Sequence, residues 1–177
     1  MPLPEVPVLE TPRLTLRGHT ADDWAAVHAA RADPAVYERL GGKPSTREET
    51  WARLLRYRGL WALLGYGYWA VCERVGGAYV GDVGFADYKH EMTPVIAGFP
   101  EIGWVLAPAK HGRGYATEAA RAVLGWAEAN ALAPKAVCVI EPANAASLRV
   151  AAKLDFRATG EGSYHGSACV ILERALR

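Results

Sequence analysis

Two glycines, Gly112 and Gly114, stand directly before a long helical pattern in the stretch HGRGYATEAARAVLGWAEANA, which runs from His111 to Ala131. The first turn of a helix offers unpaired N–H groups and the positive end of the helix dipole, so bare backbone at this place suits an anion. The alternative is that the glycines only form a turn. The spacing of the apolar residues predicts one buried helix face. That face would comprise Ala116, Ala120, Val123, Leu124, Ala127 and Ala131, with Glu118, Arg121 and Glu128 facing water.

The patterns along the chain predict one strand, two helices, three strands, a helix, a strand, a helix and two final strands. This order indicates a mixed α/β (α+β) fold rather than a regular alternation. Thr20 and Asp23 predict the start of the first helix, and Ser45 and Glu48 match a capping box for the second. The unit over residues 101–141 predicts a parallel strand pair, and the strands before it an antiparallel meander. The second helix would bury Trp51, Leu54, Leu55, Trp61 and Leu64.

Charge and hydropathy limit the classes of partner. The chain has 20 Lys and Arg against 19 Asp and Glu, which leaves no strong field to attract nucleic acid or a membrane surface. Its most apolar stretch, residues 60–72, is interrupted by glycines and is too mixed to span a bilayer. The N terminus lacks a signal-peptide pattern, so we expect a soluble cytoplasmic protein. Residues 1–9 are predicted to be a flexible Pro-rich tail and residues 10–177 a single domain.

The three cysteines, Cys72, Cys138 and Cys169, are widely spaced and lie in apolar, strand-like runs. This pattern favours buried reduced thiols over disulfides or a zinc site. We therefore expect no metal.

Three kinds of phosphate-binding loop can be compared with the glycine pair. A P-loop requires a lysine after its last glycine, and none follows here. A dinucleotide fingerprint requires a third glycine, but Thr117 occupies that position. The third kind is the coenzyme A loop Q/R-x-x-G-x-G/A of the GCN5-related N-acetyltransferases (GNAT), which the run AKHGRG from Ala109 resembles apart from its first residue.

Four further segments, LETPRLTLR, EIGWVL, GYATEA and NAASLRVAAKLDF, occur in the order that this family shows. They resemble its branch of ribosomal-protein N-terminal acetyltransferases (RimJ/RimL-like). The resemblance covers the chain from about Leu9 to the C terminus.

The resemblance implies the fold of this family, a mostly antiparallel twisted sheet of about six or seven strands with about four main helices on its two faces. A central parallel strand pair would splay apart where acetyl-CoA binds. Main-chain N–H groups of the loop would bind its pyrophosphate, and Asn144, a helix cap, would also reach the pantetheine arm. The implied cofactor-binding residues are Trp104, Val105, Leu106, Lys110, His111, Gly112, Arg113, Gly114, Tyr115, Ala116, Thr117, Asn144 and Ser147.

The same resemblance implies direct transfer of acetyl from acetyl-CoA to a primary amine in a ternary complex. The Val105 N–H would stabilise the oxyanion of the tetrahedral intermediate. Glu101, at the start of its strand, would accept the amine proton directly or through water, or would be an exposed strand end without a role. Glu141 is a weaker candidate for that base.

Ala151 occupies the position at which many relatives carry a tyrosine that protonates the leaving thiolate. Ser147 or Tyr164 would have to substitute, although a thiolate with a pKa of ~8.5 is a tolerable leaving group. Asp155 replaces the glycine that usually ends the following helix, and aspartate tolerates the left-handed conformation. The missing acid keeps an alternative open, a catalytically weak acyl-CoA-binding sensor or interaction module.

The acceptor would be a protein N-terminal α-amine or a small-molecule amine. It would be held by the two early helices, the loop between Lys89 and Phe99, and the last hairpin. A homodimer is possible, whereas nucleic acid and membrane are not expected as partners. A concentration of aromatic residues would form an acceptor wall or simply belong to the core. These residues are Trp51, Tyr57, Trp61, Tyr66, Tyr68 and Trp69.

Overall fold

The computed structural model describes residues 5–164 and 166–177, and this part of the chain forms nine strands and five α-helices. The strands are β1 (Leu9–Glu10), β2 (Leu14–Arg17), β3 (Tyr68–Glu73), β4 (Tyr79–Ala86), β5 (Met92–Thr93), β6 (Glu101–Leu106), β7 (Lys135–Ile140), β8 (Arg157–Tyr164) and β9 (Ser167–Ala175). The helices are α1 (Trp24–Arg31), α2 (Pro34–Tyr37), α3 (Arg47–Leu64), α4 (Tyr115–Ala129) and α5 (Ala145–Lys153), with 3-10 helices at Ala21–Asp23 and Pro108–Lys110.

The described residues separate into two compact units. The first contains the chain up to Gly84 together with Trp104–Ala122, and the second contains Phe85–Gly103 together with Val123–Arg177. The strand order is β1-β2-β3-β4-β6 in the first and β6-β7-β9-β8-β5 in the second, since each unit holds half of β6.

The parallel pair predicted from the strand–helix–strand unit is confirmed in the second unit. Glu101 on β6 lies opposite Val137 on β7 in parallel register, and the Val137 N–H donates to the Pro100 carbonyl at 3.0 Å. The pairs β7–β9, β8–β9 and β5–β8 are antiparallel. This arrangement confirms the mixed α/β fold class, and the two strands beyond the predicted seven are the two-residue β1 and β5. The divergence of β6 and β7 at a cofactor stays a prediction.

The first unit is built on the antiparallel strands β1 to β4. Residues 5–9, assigned to a flexible tail above, bury Val6, and the Pro7 carbonyl accepts a hydrogen bond of 2.7 Å from Trp69 Nε1. Residues 1–4 lie outside the described residues, and the domain boundary at residue 10 stays a prediction. Gly81 on β4 allows a close approach to β6, because a Cβ there would lie 2.3 Å from the Val105 carbonyl oxygen.

Helix α3 begins one residue later than predicted. Thr46, not Ser45, is its N-cap, and it forms the capping box with Glu49: the Thr46 N–H donates to Glu49 Oε2 at 2.8 Å, and its hydroxyl accepts from the Glu49 N–H at 3.1 Å. Ser45–Glu48 and Thr46–Glu49 have the same spacing, so the cap motif alone could not choose between them.

The buried face of α3 also differs from the predicted one. It consists of Thr50, Leu54, Tyr57 and Trp61. Trp51 and Leu55 were predicted to be buried but are 43% and 55% exposed, and Leu64 is exposed as well. The predicted set was too wide for one helix face, because it included residues on both sides of the buried stripe.

The buried face of α4 largely matches its prediction. Ala120, Val123, Leu124 and Ala127 are buried, as is Ala119. Ala116 is only half-buried, and Ala131 lies beyond the end of the helix with a positive φ of 48°.

Cys72, Cys138 and Cys169 are free and buried, and burial raises the pKa of each thiol above its ordinary value. Among the described residues, no cluster of three or more His, Cys, Asp and Glu side chains could hold a metal ion. Nor does any helix in the described ranges have the length and hydropathy needed to cross a membrane.

Candidate acyl-donor loop and proton-acceptor cluster

The loop between β6 and α4, in the first unit, has the backbone expected of a phosphate-binding loop. Gly112 and Gly114 have φ angles of 72° and 77°, in the left-handed region where a Cβ is unfavourable. A Cβ on Gly112 would meet nothing within 4 Å, and one on Gly114 would meet only Arg13 Nη2 at 3.6 Å. Residues 111–114 are exposed, and α4 begins at Tyr115. The main chain at this helix start is therefore open to an anion.

Arg13, directly before β2, connects this loop to the strands of the first unit. Its Nη1 donates to the Arg113 carbonyl at 3.0 Å, and its guanidinium lies 4.6 Å from the centroid of the Tyr115 ring. Its Nε and Nη2 contact Glu118 Oε2 at 2.7 and 2.6 Å. The sequence contains no local pattern that would pair residues so far apart.

Glu118 was predicted to face water, and this prediction is wrong. Its Oε1 accepts hydrogen bonds from the Thr11 hydroxyl at 2.7 Å and the Arg13 N–H at 3.0 Å, in addition to the Arg13 side-chain contacts. Burial alone would raise the pKa of this carboxyl, but the hydrogen bonds from Thr11 and Arg13 hold it below its usual value. The negative charge next to the open glycine backbone is thus compensated.

Two of the predicted binding side chains instead support the loop through Glu73. Lys110 Nζ and the Tyr115 hydroxyl both lie 2.9 Å from Glu73 Oε1. These two hydrogen bonds lower the pKa of the Glu73 carboxyl, the one from Lys110 having the larger effect. His111 Nε2 lies 2.9 Å from the Leu106 carbonyl, to which it donates. Arg113 is exposed, which leaves its charge available to an anion.

The remaining members of the predicted cofactor set in the first unit are less distinctive. Trp104 and Val105 are half-buried on β6, Leu106 is buried, and Thr117 is buried in the first turn of α4. Their roles toward a cofactor stay predictions.

Most of the aromatic concentration belongs to the core rather than to an acceptor wall. Tyr57, Trp61, Tyr68 and Trp69 are buried; the Tyr57 and Tyr68 rings stack, and the Trp61 and Trp69 rings meet edge to face. Only Trp51 is exposed.

Glu101, in the second unit, has a histidine partner that the sequence analysis did not identify. His90 Nε2 lies 3.1 Å from Glu101 Oε2, and the two side chains are 16% and 14% exposed. The His90 ring is also 4.9 Å from the ring of Tyr88 and 4.4 Å from that of Tyr164. His90 lies in the loop assigned above to acceptor binding, where no periodic pattern marks single residues. The structure thus brings Glu101 and Tyr164 to one histidine.

Asn144 has the capping role that its position predicted. Its Oδ1 accepts from the Ser147 N–H at 3.1 Å at the start of α5, in the second unit. Ala151 is fully buried, and Asp155 has a φ of 63°, the left-handed conformation expected at that helix end. The functions of Asn144 and Ser147 toward the pantetheine arm and the thiolate stay predictions.

Comparison with known proteins shows the family. The model of the acetyltransferase (GNAT) domain matches residues 13–157. The Bacillus subtilis protein YnaD, described as an uncharacterized N-acetyltransferase, is 32% identical over 154 residues, which are 86% of this chain and 84% of that protein.

Solved structures agree with this match. An acetyltransferase from Agrobacterium tumefaciens superposes with a TM-score of 0.82 at 26% identity, with 96% of this chain and 95% of that chain covered. The structure of RimL, a ribosomal L7/L12 α-N-protein acetyltransferase in complex with coenzyme A, has a TM-score of 0.78 at 17% identity, covering 96% of this chain and 98% of that one. The second likeness concerns the fold alone.

Proposed function

Because this chain belongs to the GNAT acetyltransferase family, we propose that it transfers acetyl from acetyl-CoA directly to a primary amine in a ternary complex. The observation that carries the proposal is the open, left-handed glycine backbone at the start of α4. Such a backbone can approach a pyrophosphate closely and present N–H groups to its oxygens.

Some side chains around the loop fix its backbone, and others contact the ligand. Arg13, Lys110 and His111 hold the backbone through Arg113, Glu73 and Leu106 respectively. The main chain of Gly112 and Gly114 then contacts the phosphates, and the exposed Arg113 adds positive charge. A loop fixed in advance loses little conformational entropy when the ligand binds.

The transfer step needs three contributions from the protein. The Val105 N–H stabilises the oxyanion while the C–N bond forms and the C–S bond breaks, with the bonding pair leaving on sulfur. Glu101 supports removal of the proton from the ammonium form of the acceptor. Ser147 or Tyr164 returns a proton to the thiolate, although a thiolate of pKa ~8.5 leaves without such help.

The acceptor is proposed to be a protein N-terminal α-amine or a small-molecule amine. RimL supports the first class only by likeness of fold, at 17% identity. The burial of four aromatic residues removes most of the argument for an aromatic acceptor wall on α3 and β3. A cytoplasmic location and a homodimer stay predictions from the sequence.

The test is thiol release from acetyl-CoA against a panel of small amines and short peptides with free or blocked N termini, with acetyl-CoA affinity measured by calorimetry. We expect tight binding and turnover of at least one free amine, while the blocked counterpart of that amine stays inert. Tight binding without turnover across the panel would support the sensor alternative, which the buried Ala151 keeps open. An absence of acetyl-CoA binding would contradict both.

A further inference from the structure

The second unit places His90 among groups from two other elements of the chain and from its own loop. Its Nε2 contacts Glu101 on β6 at 3.1 Å, and its ring packs against Tyr88, two residues earlier, and Tyr164 at the end of β8. These contacts fix the position of an imidazole that lies on a loop and is 16% exposed.

The contact with Glu101 determines which nitrogen of His90 can accept a proton. A carboxylate is acceptor-only, so the neutral imidazole must carry its hydrogen on Nε2 to form this bond. The lone pair of the neutral ring is then on Nδ1. Within the described part of the chain, this nitrogen has no recorded hydrogen-bond partner.

We infer that His90, not Glu101, receives the proton of the acceptor amine, and that Glu101 is the positioning residue that orients the imidazole. This inference rests on the proposed function. In the step, Nδ1 takes one proton from the ammonium, and the freed lone pair attacks the thioester carbonyl to form the C–N bond. The C–S bond breaks, the thiolate takes the second proton lost by nitrogen, and the imidazolium returns its proton to solvent. The Glu101 carboxylate stabilises the imidazolium while it exists.

The charged and titratable groups that face His90 are compatible with this role. Among the described residues they are Glu101 from β6, Tyr164 from β8 and Tyr88 from its own loop. The adjacent Lys89 is paired with Asp87, so its charge is compensated locally. Glu101 is thus the partner that faces the imidazole with a full charge.

The experiment compares wild type, His90→Gln, Glu101→Gln and the double variant, using the amine that the panel above turns over fastest. We expect His90→Gln to lower kcat/KM about 100-fold near pH 7.5, a typical contribution of general base catalysis. The wild-type advantage should shrink as the pH is lowered toward about 5.5, because only a neutral imidazole can accept a proton. The smaller effect of Glu101→Gln should vanish in the His90→Gln background, and acetyl-CoA affinity should be unchanged throughout.

His28→Gln is the matched control, since His28 lies on α1 in the first unit, 3.2 Å from the Thr50 hydroxyl. It should retain the wild-type dependence of kcat/KM on pH, whatever its effect on the KM for the acceptor. Ring-nitrogen NMR of the wild type provides a readout that needs no variant to fold, and it should show that the neutral form of His90 carries its hydrogen on Nε2.

Two results would overturn the inference alone: an unchanged pH profile in His90→Gln, or a neutral His90 protonated at Nδ1. If kcat/KM lost its pH dependence in Glu101→Gln but kept it in His90→Gln, Glu101 rather than His90 would be the base. A wild type that binds no acetyl-CoA, or turns over no amine, would instead contradict the proposed function and this inference with it.

Discussion

At the scale of single residues, Gly114 has a conformation that only glycine adopts without strain. Its φ is 77°, and the space where a side chain would stand is open apart from Arg13 Nη2 at 3.6 Å. Gly114→Val should weaken acetyl-CoA binding at least tenfold, about 1.4 kcal/mol, because the isopropyl group would occupy the space assigned to the phosphates. Calorimetric titration with acetyl-CoA measures the change.

Gly42→Val is a control with the same backbone strain. Gly42 has a φ of 79° and also has nothing within 4 Å of its Cβ position, but it lies outside the loop. Both variants should lose a similar stability, about 1–2 kcal/mol for a left-handed residue with a side chain, and only Gly114→Val should lose affinity. Equal affinities in the two variants would refute the assignment of the loop to phosphate.

At the scale of elements, Arg13 connects the start of β2 to the start of α4. Its loss would leave the half-buried Glu118 without its main positive partner, next to the proposed anion site. Arg13→Ala should therefore weaken acetyl-CoA binding about five- to tenfold, while stability falls by only about 1 kcal/mol because the arginine is half exposed. Affinity by calorimetry and the unfolding midpoint in urea separate the two effects.

A second substitution in Arg13→Ala can distinguish the effect of the Glu118 charge from that of the lost bond to the Arg113 carbonyl. If the uncompensated carboxylate causes the loss, adding Glu118→Gln to Arg13→Ala should restore part of the affinity. Arg74→Ala is the control, because Arg74 Nη1 donates to the Thr11 carbonyl at 3.0 Å, and among the described residues its side chain makes no hydrogen bond or ion pair with the loop. A double variant as weak as Arg13→Ala would mean that the bond to the Arg113 carbonyl matters more than the charge.

At the scale of the whole molecule, the first unit is held by a buried polar network. Asp82 Oδ1 lies 2.8 Å from His19 Nε2 and accepts from the Tyr79 hydroxyl at 2.8 Å, and Asp82 Oδ2 is 3.5 Å from Arg31 Nη2. Arg31 Nη2 also donates to the Tyr57 hydroxyl at 2.8 Å. The network thus joins β4 to α1, α3 and the segment after β2.

This network makes stability depend on pH in the acid range. Burial alone would raise the pKa of Asp82, but the His19 hydrogen bond and the charges of His19 and Arg31 lower it. The network therefore contributes its full stability above the unfolded pKa of about 3.9 and loses it as the pH falls through the lower folded value. Thermal unfolding between about pH 7 and pH 2 should show this loss.

Asp82→Asn should remove that part of the pH dependence and cost roughly 3–5 kcal/mol at neutral pH, because Arg31 keeps a buried charge without its counterion. Asp22→Asn, at an exposed aspartate, should change neither quantity. Parallel stability curves for wild type and Asp82→Asn would contradict the role of the network.

The sequence predicted features that depend on local spacing and missed those that depend on distant partners. Four of the six residues predicted for the buried face of α4, and the left-handed Asp155, follow from short-range rules and are confirmed by the structure. The environment of Glu118 depends on Arg13, which is 105 positions away. His90 gains its partner only because a loop returns to β6. No periodic pattern in the sequence predicts either contact.

The contacts of Thr11 and Arg13 with the helix that follows the glycine loop have a practical consequence for handling the protein. Although they are separated by 107 and 105 positions from Glu118, these residues contact the helix that follows the glycine loop, which we propose binds acetyl-CoA. Proteolytic trimming past Thr11, or a bulky affinity tag fused close to it, would therefore disturb the glycine loop. Preparations of different N-terminal length should not be assumed to have the same affinity for acetyl-CoA.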